Sequence, residues 1–226
     1  ALESPVSCVA EIWISDERHD QRVETIYKLA GDLGIRLHKT QRKQLDDMVP
    51  ENRHQGCVAR CHPLAVLDET DLDVLLDNLE QTPFLLILDG LGACLRTAEA
   101  AGAHAVIAPK DRASGLTPTA IKISSGAAER LPFIQVTNLA RVLRDLQQRG
   151  IWLVGTSGDS EMSLYQADLK GPLAIILGAE GQGIRRLTRD HCDQVIHIPM
   201  QGGAESLNVS VAAGVCLFEA DRQRRL

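Results

Sequence analysis

From Phe84 onward, short apolar runs recur between segments of helical spacing, and none of the runs alternates with polar residues. They are Phe84–Leu88, Ala105–Ile107, Phe133–Val136, Ile151–Val154, Leu173–Leu177 and Val195–Ile198. A strand with one wet face alternates, whereas a strand covered on both faces does not. The pattern therefore predicts an α/β fold built on a mostly parallel sheet with helices on both faces. Helices fit over Leu91–Ala101, Thr117–Glu129, Leu139–Arg149 and from Val209 to the C-terminus. Aromatic residues are only 3% of the chain, so Leu, Ile, Val and Ala must fill the core.

The residues before this region read as a separate, small α/β unit over 1–66. Ala10–Ser15, Ile35–His38 and Gly56–Cys61 are strand candidates, and Pro63 ends the last. Gln21–Leu33 carries apolar residues at helical spacing and stops before Gly34, and Gln41–Met48 is a shorter helix. The acidic stretch with Asp68, Glu69, Asp71, Asp73 and Asp77 marks a boundary, read as a linker over 67–82 that carries a short helix. The larger domain then runs over 83–226.

Charge and cysteine content exclude some classes. A net charge of −6 disfavours a protein that coats nucleic acid without specificity, yet it permits local basic faces. Arg36, Lys39, Arg42 and Lys43 form one such cluster, and Arg185, Arg186 and Arg189 another. Cys57 and Cys61 lack zinc-ligand spacing and no His/Cys pair answers them, so free thiols and no metal are expected. His54, His104, His191 and His197 read as surface or packing residues. No apolar run is long enough for a membrane helix and no secretory signal opens the chain, so a cytoplasmic protein is expected. The start lacks Met, which suggests that the natural N-terminus lies further upstream.

Three polar or glycine-rich loops follow strands of the larger domain, and ligands of open α/β sheets bind at the carboxyl ends of strands. The first is Gly178-Ala179-Glu180-Gly181-Gln182-Gly183. Its glycines stand at the first, fourth and sixth positions, which is not the dinucleotide fingerprint and counts against a nucleotide-binding oxidoreductase. The second is Ile198-Pro199-Met200, where proline ends sheet pairing and leaves backbone groups to face a ligand edge. The third is Ser206-Leu207-Asn208-Val209-Ser210, in which Ser206 and Asn208 are good caps for the terminal helix. Each alone reads as a turn, a strand end or a helix cap.

In this order and spacing the three loops resemble the second and third motifs of the SpoU (TrmH-like) family of the SPOUT methyltransferase superfamily. Arg96-Thr97-Ala98, with Gly92 before and Gly102 after, resembles the end of the first. His54-Gln55-Gly56-Cys57-Val58-Ala59-Arg60 is similar to the close of the L30e-like substrate-binding domain that many members carry. The likeness covers essentially the whole chain. It implies a methyltransferase domain threaded into a deep trefoil knot, a rare exception to ordinary topology, preceded by the L30e-like unit. It implies S-adenosyl-L-methionine as cofactor and a homodimer. The implied activity is methylation of a ribose 2′-hydroxyl, of a guanosine in large-subunit ribosomal RNA. Transfer RNA as substrate, or an inactive RNA-binding homologue, are the alternatives.

By motif, Gly178, Ile198, Met200 and Leu207 would contact the cofactor, and Arg96, Glu180, Ser206 and Asn208 would form the catalytic group. A guanidinium stays protonated in proteins, so Arg96 suits binding the neighbouring phosphate and stabilising developing charge better than accepting a proton. His54, Gln55 and Arg60, with the Arg36 cluster, would grip RNA phosphates. One departure stands out. The family's first motif has a loop with Asp-Pro and an Asn between the strand and the arginine-bearing helix. Here Leu88-Asp89-Gly90 abuts Leu91-Gly92-Ala93. Such a connection is shorter than usual, and a handful of residues is expected to be missing between Gly90 and Leu91.

Overall fold

A computed structural model describes residues 8–50, 54–64, 67–88, 94–110, 116–179, 183–203 and 206–226. The chain divides into two compact units, Ala1–Ala65 and Val66–Leu226.

In the first unit, β1 (Val9–Ser15) lies between β2 (Arg36–Thr40) and β3 (Cys57–Cys61). It pairs with β2 in parallel and with β3 antiparallel. A register shift between Val9 and Glu11 turns Val9 onto the face of Ile12 and Ile14. There the three pack against Val23 and Ala30 of helix α1 (Gln21–Asp32). Asp20 caps α1 by accepting from the N–H groups of Arg22 and Val23. Trp13 and His38 point the other way and stack at 5.2 Å between ring centroids. His54 closes the turn into β3: one ring nitrogen meets Asp46 at 2.8 Å on helix α2 (Arg42–Met48), and the other accepts from Gly56 N–H at 3.0 Å. Arg60 pairs with Glu11 at 2.9 Å.

The second unit holds a six-stranded sheet, every pairing parallel. Its strands are β4 (Phe84–Leu88), β5 (Ala105–Pro109), β6 (Phe133–Val136), β7 (Trp152–Thr156), β8 (Leu173–Leu177) and β9 (Gln194–Ile196), in the order β6-β5-β4-β8-β7-β9. All residues of β4, β5 and β8 are buried, as unalternating runs require. Leu85, Ile87, Ile107, Leu153 and Ile176 face helix α6 (Leu139–Gln148), whose Val142, Leu143 and Leu146 join that core. Helices α4 (Leu95–Ala100) and α8 (Val209–Arg224) pack against each other and against β5 and β8. No helix among the described residues is long and apolar enough to cross a membrane.

Three expectations shift. The acidic stretch carries its expected short helix but is part of the larger unit rather than a linker outside it. It forms helix α3 (Glu69–Asp77), Leu72 enters the core of the second unit, and every one of its five acids has a partner. Asp68 and Asp71 make a capping box. Glu69 accepts from Thr137 N–H at 2.8 Å and Asn138 N–H at 3.4 Å, at the start of α6. Asp73 and Asp77 share Arg149 at 2.9 and 2.6 Å. The helix expected over Thr117–Glu129 breaks into α5 (Pro118–Ile123) and a short 3₁₀ turn (Ala127–Glu129), because Ser125 and Gly126 adopt positive φ of 52° and 91°. The arginine-bearing helix starts at Leu95 rather than Leu91, which leaves 89–94 to join β4 to α4, an ordinary connection length. The Gly90–Leu91 junction lies outside the described residues.

Candidate active site

The sheet brings together three strand ends that are far apart in sequence. β8, β7 and β9 are neighbours, so the segments that leave their carboxyl ends share one edge of the sheet. Between them opens a cleft of about 730 Å³, lined by Leu177, Gly178, Ile198, Met200 and Leu207 among others. That volume lies within the range of small-molecule sites.

The wall from β8 is shaped by glycine. An added Cβ on Gly178 would stand 1.8 Å from the carbonyl carbon of Gly183, so no side chain fits there. Gly183 in turn has φ +65°, a left-handed conformation that favours glycine. Its N–H donates to Ala179 O at 3.0 Å. Glu180, inside that loop, lies outside the described residues. Beyond it, helix α7 (Arg186–Asp190) carries Arg189.

The wall from β9 starts earlier than expected, since the strand ends at Ile196. His197 is tied to a neighbouring segment: its N–H donates to Met162 O and its O accepts from Leu164 N–H, both at 2.8 Å. Ile198, Pro199 and Met200 then turn along the cleft. Ser206 and Leu207 close that side. Asn208 caps α8, its side-chain oxygen accepting from Ser210 N–H at 2.9 Å.

Thus Gly178, Ile198, Met200, Leu207 and Ser206 meet at one cleft. Asn208 stands one residue beyond, at the N-cap of α8. Arg96 is in the first turn of α4, exposed, with no hydrogen-bond or ion-pair partner among the described residues. It is not among the described lining of the cleft.

Sequence reasoning missed the third wall. Thr156, Ser157, Gly158 and Asp159 leave β7 and line the cleft. The Asp159 carboxylate accepts from the Ser157 hydroxyl and, through both oxygens, from Arg189 Nη1 at 2.8 Å. The Ser157 hydrogen bond, followed by that from Arg189, holds its pKa below the usual carboxylate range. The available signal was a Gly-Thr-Ser-Gly-Asp turn after a buried strand. Among the described residues no group of three or more His, Cys, Asp or Glu has metal-binding geometry, and no disulfide joins the cysteines among them.

The chain matches two family models. Residues 88–218 match the SpoU rRNA Methylase family, and residues 1–67 match the RNA 2′-O ribose methyltransferase substrate binding family. A curated relative, the 23S rRNA (guanosine-2′-O-)-methyltransferase RlmB of Ralstonia nicotianae, is 53% identical over 229 residues, covering 99% of this chain and 91% of the relative. A solved structure of an RNA 2′-O ribose methyltransferase is 28% identical, with a TM-score of 0.78 over 96% of this chain and 82% of that one. The SpoU methyltransferase AviRb from Streptomyces viridochromogenes, solved with AdoMet, shares the fold at TM-score 0.78 and 24% identity, over 99% of this chain and 85% of that one. With a model match across most of the sheet domain and more than half of all residues shared with a curated member, the chain belongs to the SpoU rRNA methylase family.

Proposed function

We propose that this protein transfers a methyl group from S-adenosylmethionine to the ribose 2′-hydroxyl of a guanosine in 23S ribosomal RNA. The observation that carries the reading is the 53% identity to an RlmB enzyme across nearly the whole chain. The cleft suits the cofactor. It has apolar walls at Leu177, Ile198 and Leu207 and glycine backbone at Gly178, and its size matches an adenosine-containing ligand. S-adenosylmethionine supplies an activated sulfonium methyl, so the protein needs only to bind it, to align the hydroxyl and to let a proton leave.

Gly178, Ile198, Met200 and Leu207 hold the cofactor, largely through backbone groups. Arg96, Glu180, Ser206 and Asn208 form the catalytic group. Arg96 binds the phosphate beside the target ribose and stabilises charge that develops on the oxygen. The unit over 1–66 binds the RNA, as the name of its matching family says of that family. With ribosomal RNA as its substrate, we infer that the enzyme acts in the cytoplasm. The chain acts as a homodimer through α8, where Val211 and Phe218 are exposed, 51% and 48%, at a seven-residue spacing. Phe218→Glu is expected to convert the dimer to a monomer in sedimentation, and an unchanged dimer refutes this interface.

A second reading has its own support. The alignment to the Ralstonia relative runs over 229 positions, more than the 226 residues of this chain. That relative therefore has residues with no counterpart in this chain. Loss of a catalytic loop would leave a binder without turnover. Transfer of labelled methyl from S-adenosylmethionine to 23S RNA fragments separates the readings. Label on a guanosine ribose supports the enzyme; cofactor binding without transfer supports the inactive homologue.

A further inference from the structure

The β7 wall carries a carboxylate held in place by two elements. Ser157 is fixed to the sheet, its N–H donating to Ile196 O at 2.9 Å, and its hydroxyl donates to Asp159. Arg189 reaches the same carboxylate from α7, the helix entered from the glycine-rich loop, with Nη1 2.8 Å from each oxygen. Residues from the β7 end and from beyond the β8 end thus orient one group at the rim of the cleft.

Stability does not account for this arrangement. The two side chains are 38% and 67% exposed, and ion pairs so exposed contribute little to folding. The arrangement does leave a usable group. A carboxylate offers about four acceptor positions, and three donor contacts are made here. A carboxylate at a strand end beside a nucleoside cleft is well suited to accept from ribose hydroxyls, which are paired, outward and hydrogen-bond donating.

We propose that Asp159 binds the ribose hydroxyls of the cofactor's nucleoside, with Ser157 and Arg189 as positioning residues that aim its carboxylate. The inference rests on the reading of the cleft as the S-adenosylmethionine site. It assigns the acidic end of the β7 turn a recognition role: the protein distinguishes a ribonucleoside cofactor from a deoxy analogue there.

The test is calorimetry on the full chain with S-adenosylhomocysteine and with its 2′,3′-dideoxy analogue. Wild-type protein is expected to bind the parent roughly 10- to 100-fold more tightly than the analogue, the range for hydrogen bonds to a charged group. Asp159→Ala is expected to lose about that factor with the parent and to bind both ligands alike. Arg189→Ala should lose a smaller part of the discrimination, and Arg189→Lys should restore some of it. If Asp159→Ala binds the parent like wild type, or weakens both ligands equally so that discrimination persists, the proposal is overturned. Circular dichroism checks that the variants are folded, and the conservative Asp159→Asn carries the same prediction in reduced degree if Asp159→Ala is not. A wild-type protein that binds neither ligand overturns the cofactor reading itself, which is a distinct result.

Discussion

At the scale of single residues, Gly178 is the most constrained position of the site. The atoms its Cβ would meet are backbone, at 1.8 Å for the carbonyl carbon of Gly183 and 2.2 Å for Ile184 N, so no rotamer change relieves the clash. Gly178→Ala is expected to destabilise the protein by about 1–3 kcal/mol, the usual cost of overpacking, and to weaken cofactor binding because the loop must open. Thermal unfolding and calorimetry check both, and unchanged values in the two would refute the account. Arg96 is the opposite case. It is exposed and has no hydrogen-bond or ion-pair partner among the described residues, so the fold is expected to survive its removal. Arg96→Ala is expected to lower methyl transfer by about 10²–10³, the scale of losing one group that stabilises developing charge, with Tm and cofactor affinity unchanged. Near-normal turnover would remove Arg96 from the mechanism. The motif residues Gly178, Ile198 and Leu207 were legible because each sits in a local pattern. Asp159 and Arg189 were not, because what joins them is strand adjacency, and sequence order separates them by thirty positions.

At the scale of elements, the strands were easier to read than the helices. Burial on both faces leaves an unbroken apolar run, which β4 and β8 show in full. Helix ends depend on features that periodicity does not carry. The break after α5 comes from Ser125 and Gly126 taking positive φ, and α3 belongs to the larger unit because its acids find donors just before and just after α6. The terminal helix α8 shows how such partners set a pH response. Near its end, Glu219 accepts two hydrogen bonds from Arg222, at 2.9 and 2.8 Å, and one from Gln223 at 2.9 Å. The Arg222 hydrogen bond leads in lowering its pKa to about 2. Gln223 is buried and spans to the preceding segment, donating to Ala167 O and accepting from Leu169 N–H. A carboxylate depressed in this way stabilises the fold at pH above its unfolded value near 4.5. That stabilisation is lost as pH falls toward 2. Wild-type Tm should therefore fall between pH 6 and pH 3 by more than that of Glu219→Gln. Equal slopes would show that Glu219 does not anchor the helix.

At the scale of the whole molecule, we propose that the two units divide the work of methylation. The larger unit has its own core, from Leu72 to Ile184, and holds all three described walls of the cleft. The smaller unit has a separate core of Val9, Ile12, Ile14, Val23 and Ala30. Several residues first read as RNA contacts have structural partners there. His54 is engaged by Asp46 and Gly56, and Arg60 by Glu11. Lys39, Arg42 and Lys43 are exposed, and we propose that they carry more of the RNA binding. Each unit has its own described core, so removal of residues 1–65 is expected to leave the larger unit folded. Cofactor affinity should then stay within about twofold of the full chain, while methylation of 23S RNA fragments is lost. If the truncated protein still methylates those fragments at the full rate, the larger unit reads the RNA unaided. If it folds but loses the cofactor as well, the cleft depends on the smaller unit, and the division of labour argued from the separate cores fails.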